Sequence, residues 1–336
     1  DTIVIDYDCG ENFTARSITY TLNGRAKAKT LAMNYPGKPG EEFYGCLYRT
    51  LPSPGTLEVS DDGINYRTVI ALEPRYRNHG GVKFKTISFP AVTGRYYRIK
   101  LHGWGSGHKD DNRIAIENVT LRQDAMNYDW ETKTALVSEY IDPDLTPDYG
   151  EDEIIPLARV INLTSNMDKD GRLRSSPLPP GKWAIMRFYA ISTGARTKHG
   201  RKEALGLECD KLSTAGAECQ WNNYVKPVVD SIRAHGAIIE GITMDSHEAG
   251  PQNWTQGLDS DFMSRNGYDM TPFLPAMAGY VVGSKEATAT FLQDLRRTLS
   301  QLTAERYYGA FDSLARKDGL RLTAQAIGGA LCLTGD

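Results

Sequence analysis

The chain has 336 residues, 40% of them hydrophobic, and carries 42 acidic against 39 basic side chains for a net charge of −3. That length and apolar content suffice for two domains, each with its own core. The charge balance offers no basic field for nucleic acid and no apolar run approaches the ~20 residues that span a bilayer, so neither a nucleic-acid partner nor membrane insertion is expected.

The chain starts at Asp1 with no signal segment ahead of it and reads as a mature or excised piece of a longer product. Cys9, Cys46, Cys209, Cys219 and Cys332 are widely spaced and include no C-x-x-C pair. This argues against a disulfide framework or a zinc site and predicts mostly buried thiols.

Residues 1–125 read as β structure: short alternating runs separated by Gly, Pro and Asp-Gly turns. Gly55 to Val69 is a strand, a Ser-Asp-Asp-Gly turn and a second strand. Lys85–Phe89, Arg95–Leu101 and Ile114–Leu121 follow as further strands. The Ser-Asp-Asp-Gly turn followed by the aromatic, arginine-bearing run Arg95–Leu101 resembles the galactose-binding-like, discoidin-type jelly-roll modules. That resemblance implies an antiparallel β-sandwich that either binds sugar or serves as a spacer.

Residues 126–155, with Asp142-Pro143-Asp144 and Thr146-Pro147-Asp148, read as a linker. Over 156–336, strands are predicted at Ala158–Leu163, within Pro179–Tyr189, at Ala237–Met244 and at Leu320–Ile327, with a turn at Asp168–Gly171. Apolar residues three and four apart mark helices over Ala215–Ala234 and from Phe291 to Leu314. Alternating strands and helices imply βα units around a parallel sheet.

Chemistry concentrates after the strand at 237–244, where Asp245, His247, Glu248, Gln252, Asn253 and Trp254 follow an apolar run. Polar groups beyond the C-terminal end of a barrel strand face the reaction chamber. Glycosidic cleavage needs a protonated carboxyl for the leaving oxygen and a second carboxylate to activate water or attack the sugar. Glu248 is the candidate acid. Asp245 nearby would raise its pKa and support it, or else serve as a helix cap or arginine partner. Glu208, Asp210 and Lys211 form a second polar cluster suited to sugar hydroxyls or a hard cation, with an ordinary exposed ion pair as the alternative. Gln252 and Asn253 are candidate hydroxyl binders. Trp254 either stacks on a sugar or packs under its loop. Arg187, at the end of a predicted buried strand, is a substrate clamp or half of a core ion pair. His247 is expected to line the pocket, since one imidazole beside one or two carboxylates falls short of a zinc site.

Val160–Thr164 with Gly181–Phe188, Gly206-Leu-Glu-Cys-Asp-Lys-Leu-Ser213 and Asp245-Ser-His-Glu-Ala-Gly-Pro-Gln-Asn-Trp-Thr255 together resemble the α-L-rhamnosidases of glycoside hydrolase family 106. Phe273–Ala276, Arg296-Arg-Thr298 and Glu305-Arg-Tyr-Tyr-Gly309 are similar to the family as well. The resemblance implies a β-sandwich ahead of a catalytic (β/α)8 barrel and removal of terminal L-rhamnose from plant or microbial glycans. It also implies a calcium ion near the sugar hydroxyls, with ligands unassigned, and location in the periplasm, at the cell surface or outside the cell. Two departures stand out. The barrel looks incomplete, so the second catalytic carboxylate is expected to be missing from this chain and the fragment to be inactive alone. Gln325 also occupies a position where an acidic residue is expected, and an amide exchanges no proton. A non-catalytic carbohydrate-binding or adhesion module is the competing reading.

Overall fold

The computed structural model describes residues 2–23, 25–26, 55–72, 82, 84–102, 104–105, 115–137, 144–174, 178–197, 201–245, 247 and 249–325. The fold is mixed α and β and divides into two compact units. The first comprises Asp1–Tyr76, Lys83–Asp129 and Leu145–Asp148; the second comprises Arg77–Val82, Trp130–Asp144 and Tyr149–Asp336.

The first unit contains strands β1 (Thr2–Asn23), β2 (Arg25–Ala26), β3 (Gly55–Ser60), β4 (Arg67–Leu72), β5 (Phe84–His102), β6 (Trp104–Gly105) and β7 (Ala115–Arg122). Five of them form an antiparallel sheet in the order β4-β3-β5-β1-β7, and β2 pairs with β6. Register follows apolar matching: Ile18 lies opposite Ile87, and Leu57 opposite Ile99. These side chains join Val59, Leu72, Phe89, Tyr97, Leu101 and Tyr128 in one core. The β3–β4 turn is organised by Asp62, whose carboxylate accepts from the amides of Ile64 at 2.8 Å and Asn65 at 2.7 Å, while Gly63 adopts φ +73°. Those bonds hold the Asp62 carboxyl well below the usual carboxylate range.

The second unit is built on helices. The first is α1 (Trp130–Lys133). Helices α2 (Thr214–Gln220) and α3 (Lys226–Ala234) run together through a π-turn at Trp221–Val225. After β8 (Gly241–Met244) come α4 (Leu258–Asn266), α5 (Lys285–Thr303), a π-turn at Ala304–Tyr308, α6 (Gly309–Lys317) and β9 (Arg321–Ala324). Ser284 caps α5 by accepting from the Ala287 amide at 3.0 Å. Phe291, Leu295, Leu299 and Leu302 on α5 pack with Leu212, Leu258, Phe262 and Met270. Strands β8 and β9 pair in parallel, Gly241 opposite Arg321 and Met244 opposite Ala324. One side of this pair is covered, because Ile242, Met244 and Leu322 pack against Trp221, Val229, Phe311 and Ala315.

Several sequence expectations are revised. The strand expected at Ala158–Leu163 is a short 3-10 turn at Leu157–Arg159 followed by irregular chain. Pro179–Tyr189 forms no ladder among the described residues, and Ile185 is 63% exposed. An apolar run becomes a strand only where a neighbour satisfies its backbone groups. Residues 126–137, expected within a linker, are largely buried, with Glu131 and Thr132 fully enclosed. Lys85–Phe89 and Arg95–Leu101 are parts of one strand, β5, which tracks β1 through register shifts. Cys9 and Cys209 are half-buried and Cys219 is exposed, rather than buried thiols; Cys46 and Cys332 lie outside the described residues.

Gly241 marks where the parallel pair is tightest, since a Cβ there would lie 2.6 Å from the Arg321 carbonyl oxygen. Gly241→Ala is therefore expected to lower stability by about 1–3 kcal/mol in urea unfolding. An unchanged midpoint would contradict the pairing.

Candidate active site

The first loop of the site is set by a short antiparallel contact. The Thr197 amide donates to the Gly206 carbonyl at 3.0 Å, and the Glu208 amide donates to the Ala195 carbonyl at 2.9 Å. The chain then turns at Asp210, buries Leu212 and enters α2 under the Ser213 cap, which accepts from the Ala215 amide at 3.3 Å. Gly216 permits this closeness: a Cβ there would sit 2.9 Å from the Cys209 Cβ and 3.0 Å from the Asp210 carbonyl oxygen. From the far end of the helical run, Arg306 donates to the Leu212 carbonyl at 3.2 Å and grips Asp261 with bonds of 2.5 and 2.7 Å.

The second loop leaves the end of β8. Asp210 joins it to the first, accepting from Gln252 Nε2 at 2.5 Å, Thr255 Oγ1 at 2.5 Å and the Leu212 amide at 2.9 Å. Gln252 returns a second link, its Oε1 accepting from the Lys211 amide at 3.1 Å. Asn253 anchors the loop by donating to the Thr134 carbonyl at 2.9 Å, and Trp254 packs against the α4–α5 core.

Lys211 occupies the centre. Its side chain is 5% exposed and its Nζ donates to Glu208 Oε2 at 2.8 Å. The same ammonium lies 5.3 Å from the centroid of the Tyr307 ring. His247 is buried with its ring 6.1 Å from Tyr307, and its Nδ1 makes no hydrogen bond. Burial, reinforced by the Lys211 charge and opposed by Glu208, pushes His247 down to about 4, so the imidazole is neutral at physiological pH. Burial also raises the Cys209 thiol and the Tyr307 phenol, keeping both protonated.

Of the residues singled out from sequence, Glu208, Asp210, Lys211, His247, Gln252, Asn253 and Trp254 meet through these two loops. Asp245 is exposed immediately after β8, beside Gln325, whose amide donates to the Met244 carbonyl at 3.0 Å. Glu248 lies outside the described residues. Arg187 ends no buried strand; it is exposed and donates to the Tyr189 hydroxyl at 3.0 Å. Tyr307, Thr255 and Arg306 were not anticipated as site residues, although the Glu305-Arg-Tyr-Tyr-Gly309 run marked two of them. Calcium takes six to eight oxygen ligands. Glu208 is bound by Lys211, and three internal donors occupy Asp210. No group of three or more acidic, His or Cys side chains is placed for a metal among the described residues.

Comparison with known proteins defines the class first. The fold is similar to that of the rhamnosidase from Novosphingobium sp. PP1Y, with a TM-score of 0.68 at 24% identity, over 96% of this chain and 28% of that one. A protein of Formosa agariphila named "Putative beta-glucuronidase" is 33% identical over 219 residues, 65% of this chain and 19% of the relative. The chain thus spans about a fifth of that curated relative. Residues 12–336 match the profile of the glycoside hydrolase family 106 α-L-rhamnosidases, and the chain belongs to that family.

The His247 environment has a measurable consequence. A folded-state value of about 4, below the ordinary 6.5, means the unfolded chain binds more protons between those values. The histidine's contribution to stability is complete above pH 6.5 and is lost as pH falls toward 4. His247→Gln should therefore flatten the decline of unfolding free energy between pH 7 and 4.5. Parallel pH curves for the two proteins would rule out a neutral buried imidazole. Gly216→Val should force Cys209 and Asp210 outward and destabilise by about 1–3 kcal/mol in the same assay.

Proposed function

We propose that this chain supplies part of the sugar-binding and catalytic centre of a hydrolase that removes terminal α-L-rhamnose from plant or microbial glycans. The observation that carries the proposal is the joining of the 208–212 and 252–255 loops around Lys211 and His247, beside the C-terminal end of β8, in a member of a rhamnosidase family. On this reading β8 and β9 are strands of a (β/α)8 barrel, and the five-stranded sheet is one layer of a β-sandwich. Their parallel pairing, with α4–α6 between them in sequence, supports the barrel.

Chemically, Glu248 acts as general acid, protonating the leaving oxygen, and Asp245, three residues before it in sequence, supports that acid. A second carboxylate, not assigned here, activates water or attacks the anomeric carbon. Glu208, Lys211 and Gln252 bind hydroxyls, and neutral His247 offers one donor and one acceptor nitrogen. Asn253 and Trp254 support the loop from beneath, and Arg187 contacts more distant parts of the glycan. No step is routed through calcium. The Lys211 ammonium is already neutralised by Glu208, which favours a neutral deoxy sugar over a uronic acid needing a spare cation. A polymeric substrate is consistent with action in the periplasm, at the cell surface or outside the cell. No described helix is long and apolar enough to cross a membrane. The family match over residues 12–336 weighs against a purely adhesive module.

Full-length protein should hydrolyse an aryl α-L-rhamnoside in preference to an aryl β-D-glucuronide. Glu248→Gln is expected to lower kcat by about 100- to 10,000-fold. Preference for the glucuronide would overturn the substrate assignment, and full activity in the Glu248 variant would overturn the mechanism.

A further inference from the structure

The π-turn at Ala304–Tyr308 interrupts an otherwise continuous helical run from Lys285 to Lys317. One extra residue in a turn rotates everything after it by roughly 100° relative to a regular helix. Tyr307 sits inside that turn, with its ring beside both Lys211 and His247. We propose that Tyr307 is a positioning residue of this site, its ring holding the Lys211 ammonium against Glu208 and bracing the His247 imidazole. The inference rests on the reading of the 208–212 loop as a sugar site.

Three observations carry it. A buried ammonium has three N–H donors to satisfy. Glu208 Oε2 takes one at 2.8 Å, the Cys209 carbonyl receives a long contact at 3.5 Å, and the Tyr307 ring centroid stands 5.3 Å away. A ring face next to a desolvated cation contributes electrostatic attraction that an aliphatic side chain lacks. Second, Tyr307 is fixed by its neighbours, packing edge-on against Tyr308 at 5.1 Å and Phe311 at 5.6 Å. It is therefore a rigid platform. Third, it is the ring of Tyr307 that meets both Lys211 and His247. His247 keeps an unpartnered Nδ1 in this enclosure, and the ring fixes where that nitrogen stands.

The test compares Tyr307→Phe with Tyr307→Met in the full-length protein. Phenylalanine keeps the ring, whereas methionine fills comparable space without one. L-rhamnose affinity is measured by titration calorimetry, folding by thermal unfolding, and the Lys211–Glu208 contact by crystal structures of both variants. The Phe variant should keep the affinity and the contact of the unmodified protein. The Met variant should bind about tenfold more weakly, with Lys211 withdrawn from Glu208 at an unchanged fold. A Met variant with the contact and affinity intact would overturn the proposal, as would a Phe variant damaged equally. Should the unmodified protein not bind L-rhamnose, the sugar reading fails, and the Lys211 position in the variant structures alone decides the role of Tyr307. Tyr307→Leu provides the same readout if the Met variant does not fold.

Discussion

Two carboxylate oxygens on Asp210 hold the candidate site together. They accept from Gln252, Thr255 and the Leu212 amide, fastening segments more than forty residues apart in sequence. A carboxylate so satisfied in a partly buried place is strongly oriented, because each lost bond would leave a donor stranded. Everything else in the site takes its coordinates from this tie. Lys211 follows Asp210 directly, and its amide is bound by the same glutamine that Asp210 holds. The Cβ-free edge of Gly216 and the grip of Arg306 on the Leu212 carbonyl seat the loop on the helices behind it.

Within that frame the electrostatics are local and asymmetric. Burial, with the Lys211 ammonium adding to it, pushes the His247 imidazole toward its neutral form, while Glu208 acts in the opposite sense. The result is a compact cluster with its cation balanced, a neutral histidine and amide groups nearby. The proposed preference for hydroxyl-rich, uncharged ligands rests on this balance, because binding an anion would require breaking the Lys211–Glu208 pair. Among the described residues of the sheet unit, the Arg98–Asp6 pair at 2.6 Å and the Arg95–Asp8 pair at 2.7 Å are partly exposed and contribute little.

Local signals in the chain suffice where the physics is local. The β3–β4 hairpin follows from Asp62 and Gly63, whose turn is built within a few residues. The apolar spacing from Phe291 to Leu314 marks one helix, which the π-turn at Ala304–Tyr308 divides into α5 and α6. Nonlocal features were less legible. Strand β1 carries a polar, glycine-bearing stretch and is a strand because β5 and β7 pair with it. Pro90 and Gly94 made β5 look like two pieces, yet β1 follows it along its length. Conversely, the apolar run before Arg187 looked like a buried strand but finds no ladder among the described residues.

Sequence by itself determined that an apolar strand ending at Met244 empties into a loop of amides, imidazole and carboxylates, and that Glu208, Asp210 and Lys211 form a companion cluster. Adjacent residue types suffice for that inference, and the family resemblance rests on the same segments. Tertiary structure alone decided the division of labour. It turned Asp210 inward as a tie, paired Lys211 with Glu208, and brought Tyr307 from a distant π-turn beside Lys211 and His247. Which partner a polar side chain finds depends on chain segments remote in sequence meeting in space, and no spacing within a motif encodes that meeting.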